Sequence, residues 1–393
     1  MSDPVDSYTE VTTQSWGSKI VGSLIGLILG PVLVIGACAA LFWNEGRAVQ
    51  TARSLTEGAA VVVEVPPSPV SLANEGLLVH VTGDMKAASK LSDPDFGVSA
   101  DAIRLIRDVA MYQWKEESKS ETRKNVGGSE ETVTTYTYRR EWSGRPIDSA
   151  KFKQPGLHEN PPMSIRDRDV VSRDATLGAF RLGERAIRSF NTDTPLELDP
   201  SIAEAVRKKM NRRAAVEAGH LYLSDNPGSP RIGDYRIGYR VVPVGIGSVV
   251  ARQTGTELTG YQTKAGDVVL LAHTGERSAA EMFKAAQDAN RVLTWILRAV
   301  FTMLVFIGLV FSTRIVVALA DVLPFVGNLV QATTFAAALA LTAILAPLVI
   351  AIAWLFYRPM ISLAVIAAGV ALAYAVSRLG KRKTSARTEA SPA

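Results

Sequence analysis

Cysteine is almost absent: one residue, Cys38, in a chain of 393. It stands inside an apolar run, so the polar part of the chain has no disulfide available and has to be held by packing. Histidine is scarce as well. His80, His158, His220 and His273 stand apart, with no His-Glu-x-x-His spacing and no cysteine partners, which leaves a zinc site without support. There is no Gly-x-Ser-x-Gly elbow, no phosphate-binding P-loop, and no Gly-x-Gly-x-x-Gly opening a helix after a strand. Gly245, Gly247 and Gly255 fit turns between strands better than a phosphate cradle. Arginine and aspartate alternate through Arg166-Asp167-Arg168-Asp169, which reads as a surface ladder of weak ion pairs more than as a catalytic pair. No catalytic residue, cofactor or metal is predicted. The net charge of +5 is modest, and the bases of the middle region are mixed with acids, so nucleic-acid binding is not expected either.

Charge is also missing from long stretches at the two ends. Ile20 to Trp43 has no charged side chain, and Val292 to Val376 carries only Arg298, Arg314, Asp321 and Arg358. A helix needs about 20 apolar residues to cross a hydrocarbon layer about 30 Å thick. Runs of this length exceed what the buried helices of a soluble core require. Four spans are expected: 20–43, one within the helical segment 278–313, 329–357, and the shorter 361–377. Between the first two lies a polar domain, 44–277. The remaining pieces are an N-terminal lead, 1–19, expected to be disordered, a segment 314–328 joining spans two and three, and a basic tail, 378–393.

Orientation follows from that tail. Arg378, Lys381, Arg382 and Lys383 come directly after the last span, a topology signal first and a contact for anionic lipid second. They hold the C-terminus in the cytoplasm, and four spans then put the lead there too and the domain on the other side. Trp43, Glu45 and Arg47, with Trp295, Arg298 and Arg358, are expected at the membrane boundary. Arg298 lies about two turns deeper than Arg291, and snorkelling to the surface is the expectation for it, with contact to another helix the rival. Arg314 and Asp321, seven apart, share a face of a segment expected to lie along the cytoplasmic leaflet. Gly22, Gly26 and Gly30 follow one helix face at four-residue intervals and, with Gly369 in the last span, suit close helix contacts, although glycine is common in membrane helices anyway. No ionisable residue lies deep in a span, which argues against an ion pathway through one protomer.

The polar domain reads as α+β with a mainly antiparallel sheet. Short strands are expected at Val61 to Val65 and Leu77 to Val81, separated by Pro66, Pro67 and Pro69. The clearest pair is Ile103 to Ser118 with Thr132 to Ser143, a long hairpin turning through Asn125-Val126-Gly127-Gly128-Ser129, with Trp114, Tyr136 and Trp142 facing inward. Asp199 and Pro200 suit the start of a helix running to about Val216, basic on its exposed face. Strands resume at His220, Tyr235, Gly247 and Val268. Ser278 and Glu281 form a capping box that opens an unbroken helix into the second span, a strut between domain and bilayer.

Several short motifs add a family resemblance. Trp43-Asn44-Glu45-Gly46-Arg47-Ala48-Val49 resembles the motif that follows the first span in the transmembrane protein 43 family, also called LUMA. Gln113-Trp114-Lys115-Glu116, Tyr136-Thr137-Tyr138, Glu141-Trp142, Asn160-Pro161-Pro162, Gly233-Asp234-Tyr235-Arg236 and Trp354-Leu355-Phe356-Tyr357-Arg358-Pro359 look like further landmarks in the same order. The resemblance implies a four-span protein; for eukaryotic members it implies the endoplasmic reticulum and inner nuclear membrane, links to emerin and lamins, and self-association. The Ala-rich, short-looped character of this chain suits a bacterial member, for which the inner membrane and a periplasmic domain are expected and the nuclear partners do not transfer. The function expected is a non-enzymatic membrane organiser with membrane lipids, further copies of itself and unidentified proteins as partners. Its rival is a membrane-bound enzyme or lipid-handling protein with a site on the membrane-facing side of the domain.

Overall fold

The computed structural model describes residues 6–191, 194–360, 362–364 and 367. Most of the fourth expected span, with Gly369, and the basic tail with Arg378, Lys381, Arg382 and Lys383 lie outside the described residues. The chain forms two compact units. A sheet unit takes the residues up to Gln14, Arg53–Arg123 and Glu130–Asp288; a helical unit takes Ser15–Ala52, Lys124–Ser129 and the chain from Ala289 on.

Five α-helices are described: α1 Trp16–Val61, α2 Glu184–Ser189, α3 Ser201–Met210, α4 Ala279–Ala320 and α5 Pro324–Tyr357. Three of them, α1, α4 and α5, are long and apolar enough to cross a membrane. Helix α4 opens on the expected box: Ser278 Oγ accepts from the Glu281 amide at 3.3 Å and Glu281 Oε2 accepts from the Ser278 amide at 3.0 Å. It does not stop at Thr313. Arg314 to Ala320 are its last two turns, so no separate interfacial segment exists there. Pro324 then starts α5 at a position where its missing amide hydrogen costs nothing.

The sheet unit holds two large sheets. In the first, the strands run in the order Asp6–Gln14, Glu130–Ser143, Ala102–Lys124, Tyr235–Pro243, His220–Leu223 and Ala215–Glu217; the first strand is antiparallel to the second, and the last four strands are antiparallel in succession. The second is built on Leu78–Lys86 paired with Gly245–Thr254. Period-two alternation explains the first sheet. Ile103, Leu105, Arg107, Val109, Met111 and Gln113 are buried while the residues between them are only partly so, until the pattern dissolves into exposed residues past Glu116. Val109, Met111, Ile237 and Tyr239 pack there with Ala203 and Val206 of α3. A second cluster joins Val79, Val81, Val249 and Ala251 to Ala186 and Ile187 of α2, and a third joins Leu55 of α1 to Met282 and Phe283 of α4.

Four expectations need correction. The N-terminal lead is not a free tail, because Asp6–Gln14 is an edge strand in register with Glu130 to Tyr138. Tyr8 stacks on Tyr136, and Glu10 pairs with Lys153 at 2.8 Å. The hairpin is longer than expected, 102–124 and 130–143. The inward side chains near its base are Gln113 and Tyr138, while Trp114, Tyr136 and Trp142 are half-buried. Helix α3 ends six residues before Val216. Asn211 adopts the left-handed conformation, φ 50°, which closes a helix.

Candidate functional site

The densest polar cluster of the helical unit is built from three helices around one carboxylate. Glu45 of α1 is 1% exposed. Its Oε1 accepts from Arg298 Nε at 2.6 Å and its Oε2 from Arg298 Nη2 at 2.7 Å, a two-pronged pairing with α4. Oε2 also accepts from the indole of Trp354 on α5 at 2.8 Å. The guanidinium lies over the Trp295 ring, 4.7 Å from its centroid. Arg298 therefore does not snorkel: it faces another helix, because a desolvated carboxylate is within reach.

One turn nearer the start of α4 a second set of bonds repeats the join. Asn290, Thr294 and Arg298 follow one face of α4 at four-residue spacing. Opposite them, Arg47 donates to Asn290 Oδ1 and to Thr294 Oγ1, both at 3.0 Å. Asn44, fully buried, donates to the Thr294 carbonyl at 3.2 Å and accepts from Arg47. Asn290 donates to the Ala48 carbonyl at 3.0 Å. Gly46 admits α5: a Cβ there would lie 2.6 Å from the Tyr357 ring. Phe42 packs on Phe356 and Tyr357 at 5.6 and 5.3 Å between centroids. Two motifs far apart in the chain, Trp43 to Arg47 and Trp354 to Arg358, thus meet in one clamp.

Deeper in the unit, the helices touch through small residues. A Cβ on Gly26 would meet the Phe311 carbonyl at 2.8 Å, and one on Gly30 would meet the Gly308 carbonyl at 2.7 Å. Gly22 has nothing within 4 Å, so of the three glycines only Gly26 and Gly30 serve the contact between α1 and α4. Trp43 and Trp295 expose most of their rings, and Val21, Leu24, Ile25, Ile28, Val32 and Ile35 of α1 face outward. At the opposite end, Arg314 lies over the Phe311 ring. There Asp321 is buried, pairing with Lys19 and, at 2.8 Å, with Lys124 of the hairpin tip.

The sheet unit carries its own buried polar groups. Arg107 reaches Asp93 at 2.7 Å and Asp95 at 2.9 Å, and Tyr239 donates to Asp93 at 2.7 Å. The Arg107 hydrogen bond holds Asp95 below the usual carboxylate range. Burial, with Asp93 beside it, pushes the Tyr239 hydroxyl up. His158, also buried, stacks flat on Tyr138 at 3.7 Å and meets Trp114 edge-on at 4.8 Å. Its Nε2 lies 2.8 Å from Asp6, which ties the first strand to the hairpin. Burial and the hydrogen bond to Glu116 push Tyr138 up to about 12.

Two open clefts, of about 580 and 570 Å³, mark this unit. Each holds a carboxylate engaged by arginine. In the first, Asp169 pairs with Arg104 at 2.9 Å and with Arg188, and the Arg104 hydrogen bond above all lowers its pKa. In the second, Asp108 takes both prongs of Arg240, at 2.6 and 2.8 Å. No group of three metal-ligating side chains comes together among the described residues.

Sequence reasoning placed Glu45, Arg47 and Arg298 at a boundary and did not join them, and it missed Asn44, Asn290, Thr294 and Trp354 as partners. One signal was present: an arginine six residues inside an apolar run demands a counter-charge.

Residues 111–359 match the family model for Transmembrane protein 43. The Rattus norvegicus protein of that name is 35% identical over 376 residues, covering 91% of this chain and 89% of its own. The Homo sapiens protein is 35% identical over 366 residues, 88% of each chain. The homolog from Drosophila melanogaster is 30% identical over 360 residues, covering 87% of this chain and 91% of its own. No solved structure matches the chain.

Proposed function

This chain belongs to the transmembrane protein 43 family, and from that premise we propose that it is a non-enzymatic membrane organiser: helices fixed in the bilayer, a sheet domain held outside the cytoplasm for protein or lipid-surface contacts, and self-association of copies. The observation that carries this reading is the Glu45 clamp. It joins α1, α4 and α5 through a buried ion pair instead of lining a path with polar groups, which suits an anchor and not a conduit. The outward faces are apolar and fit lipid or a second copy. A fourth span within 361–377 brings both termini to the cytoplasm, an arrangement that requires the Asp6–Gln14 strand to leave the hairpin when α1 crosses the bilayer. Asp169 and Asp108, the carboxylates of the two clefts held tightest by arginine, suit interaction surfaces better than acid–base chemistry.

Mass measurement of the full chain in lipid nanodiscs tests this. The proposal expects particles holding at least two copies at nanomolar concentration. Single copies across the whole concentration range would contradict self-association, and turnover of a lipid or peptide substrate by the purified chain would contradict the non-enzymatic reading.

A further inference from the structure

His80 stands on the strand Leu78–Lys86 of the second sheet, 4% exposed, with a polar partner on each ring nitrogen. Glu64 lies directly opposite it on the parallel strand Val63–Val65, just beyond the end of α1. Nδ1 is 2.6 Å from Glu64 Oε2, and Nε2 is 2.8 Å from the carbonyl of Arg277, the residue before the Ser278 box that opens α4. The last turns of α1 and the first turns of α4 belong to the same unit as these strands. Leu55, Leu78, Val250, Met282 and Phe283 share one cluster there, and Gly58 lets Phe283 lie against α1. One ring therefore bonds the chain both where it leaves one long helix and where it enters another.

The hydroxyls beside the ring fix its protons. Ser248 Oγ accepts from the Arg277 amide at 2.9 Å and donates to the Gly275 carbonyl at 3.0 Å, which uses its hydrogen. Thr82, 2.9 Å from Ser248 Oγ, is then the donor in that pair and turns only a lone pair towards His80 Nε2, 3.5 Å away. Nε2 thus faces acceptors alone, and so does Nδ1. A neutral imidazole carries one N–H and serves one of them; only the imidazolium serves both. Among the described residues Glu64 is the one charged side chain at hydrogen-bond distance from the ring. Asp84, Arg252, His273, Glu276, Arg277 and Glu281 stand on the elements around it.

We propose that His80 is a proton-gated pin: charged, it ties the exit of α1 to the entrance of α4; neutral, it keeps Arg277 and releases Glu64. The order follows from solvent. The Glu64 side chain is 69% exposed, so water replaces its lost bond, whereas a carbonyl turned towards a buried ring has no such substitute. Histidine changes charge between about pH 5 and pH 8. Because only the charged form holds both partners, the pin is closed at the acid end of that interval and opens as pH rises. It works the same whichever side of the membrane holds the domain and however many copies assemble.

Hydrogen exchange of the full chain in detergent, corrected for the intrinsic exchange rate at each pH, reads the two sides of the pin separately. From pH 5.5 to pH 8.0 the protection of the amides in 62–65 should fall at least fivefold, while that of 278–283 holds within twofold. The fall should vanish in His80→Gln, which removes the ring, and in Glu64→Gln, which removes the charge that the second proton serves. His220→Gln, at a half-exposed histidine of the same unit, should leave it intact. If His80→Gln fails to fold, Glu64→Gln decides, because that side chain is exposed. Protection at 62–65 that ignores pH in the unaltered chain would overturn the pin. So would a fall that survives Glu64→Gln, one abolished by His220→Gln, or an equal fall in both segments.

Discussion

The helical unit holds one buried carboxylate at each end, and the two are served differently. Glu45 receives both prongs of an arginine and an indole hydrogen bond from a third helix. Asp321 receives two lysines, one of them from a hairpin tip. A planar guanidinium is preorganised for a carboxylate and loses little freedom in binding it; an ammonium on four methylenes loses more and is more strongly hydrated. The Glu45 end is therefore the more rigidly held of the two, although Asp321 is itself fully buried and both of its lysines nearly so.

The sharpest way to break this contrast is to remove Glu45. Glu45→Ala leaves Arg298 buried without a counter-charge, a loss of about 3–5 kcal/mol for a buried pair, to be read as a fall in the melting temperature of the detergent-solubilised chain. An unchanged melting temperature would mean that water already reaches the pair. Next in size is Gly30→Leu, which forces a side chain into Gly308 and Ser312; overpacking costs about 1–3 kcal/mol. Gly22→Leu should leave stability unaltered, since that position is open. A change in particle mass with Gly22→Leu alone would assign this glycine to a contact between copies. Asp321→Asn, which leaves two nearly buried lysines facing a neutral acceptor in place of their counter-charge, should cost about 1–3 kcal/mol, and an effect as large as that of Glu45→Ala would erase the difference between the two ends.

The smallest effect belongs to the sheet unit and to pH. Asp169 and Asp95 titrate below the usual carboxylate range because Arg104 and Arg107, respectively, hydrogen-bond their ionised forms. A depressed folded value means that the unfolded chain takes up protons first as pH falls. The stability these pairs contribute is complete above the unfolded carboxylate value of about 4 and is lost as pH drops through the lower folded values. Urea unfolding followed by tryptophan fluorescence from pH 6 to pH 3 should show that decline, and Arg104→Ala should flatten part of it.

Local signals in the chain were legible where they were dense. The three long apolar helices, the hairpin and the Ser278 box each announce themselves within about ten to twenty neighbouring residues. The Asp6–Gln14 strand did not, because no hydrophobic alternation marks a ribbon wetted on both faces; its order comes from nine pairings with a strand more than a hundred residues away. The end of α3 turned on one backbone dihedral at Asn211, which the run of bases beyond it concealed. The clamp was half visible. Arg298 inside its apolar run declared an unmet need, but its partners stand at Glu45 and Trp354, and only the packing of three helices brings them together.

That packing is tested most directly by a double-mutant cycle in nanodiscs on Glu45→Gln and Arg298→Gln, with unfolding free energy as the readout. The account predicts a coupling of at least about 2 kcal/mol between the two positions, within the range for groups in direct contact. Additive losses, with coupling near zero, would show that the carboxylate and the guanidinium do not hold α1 to α4.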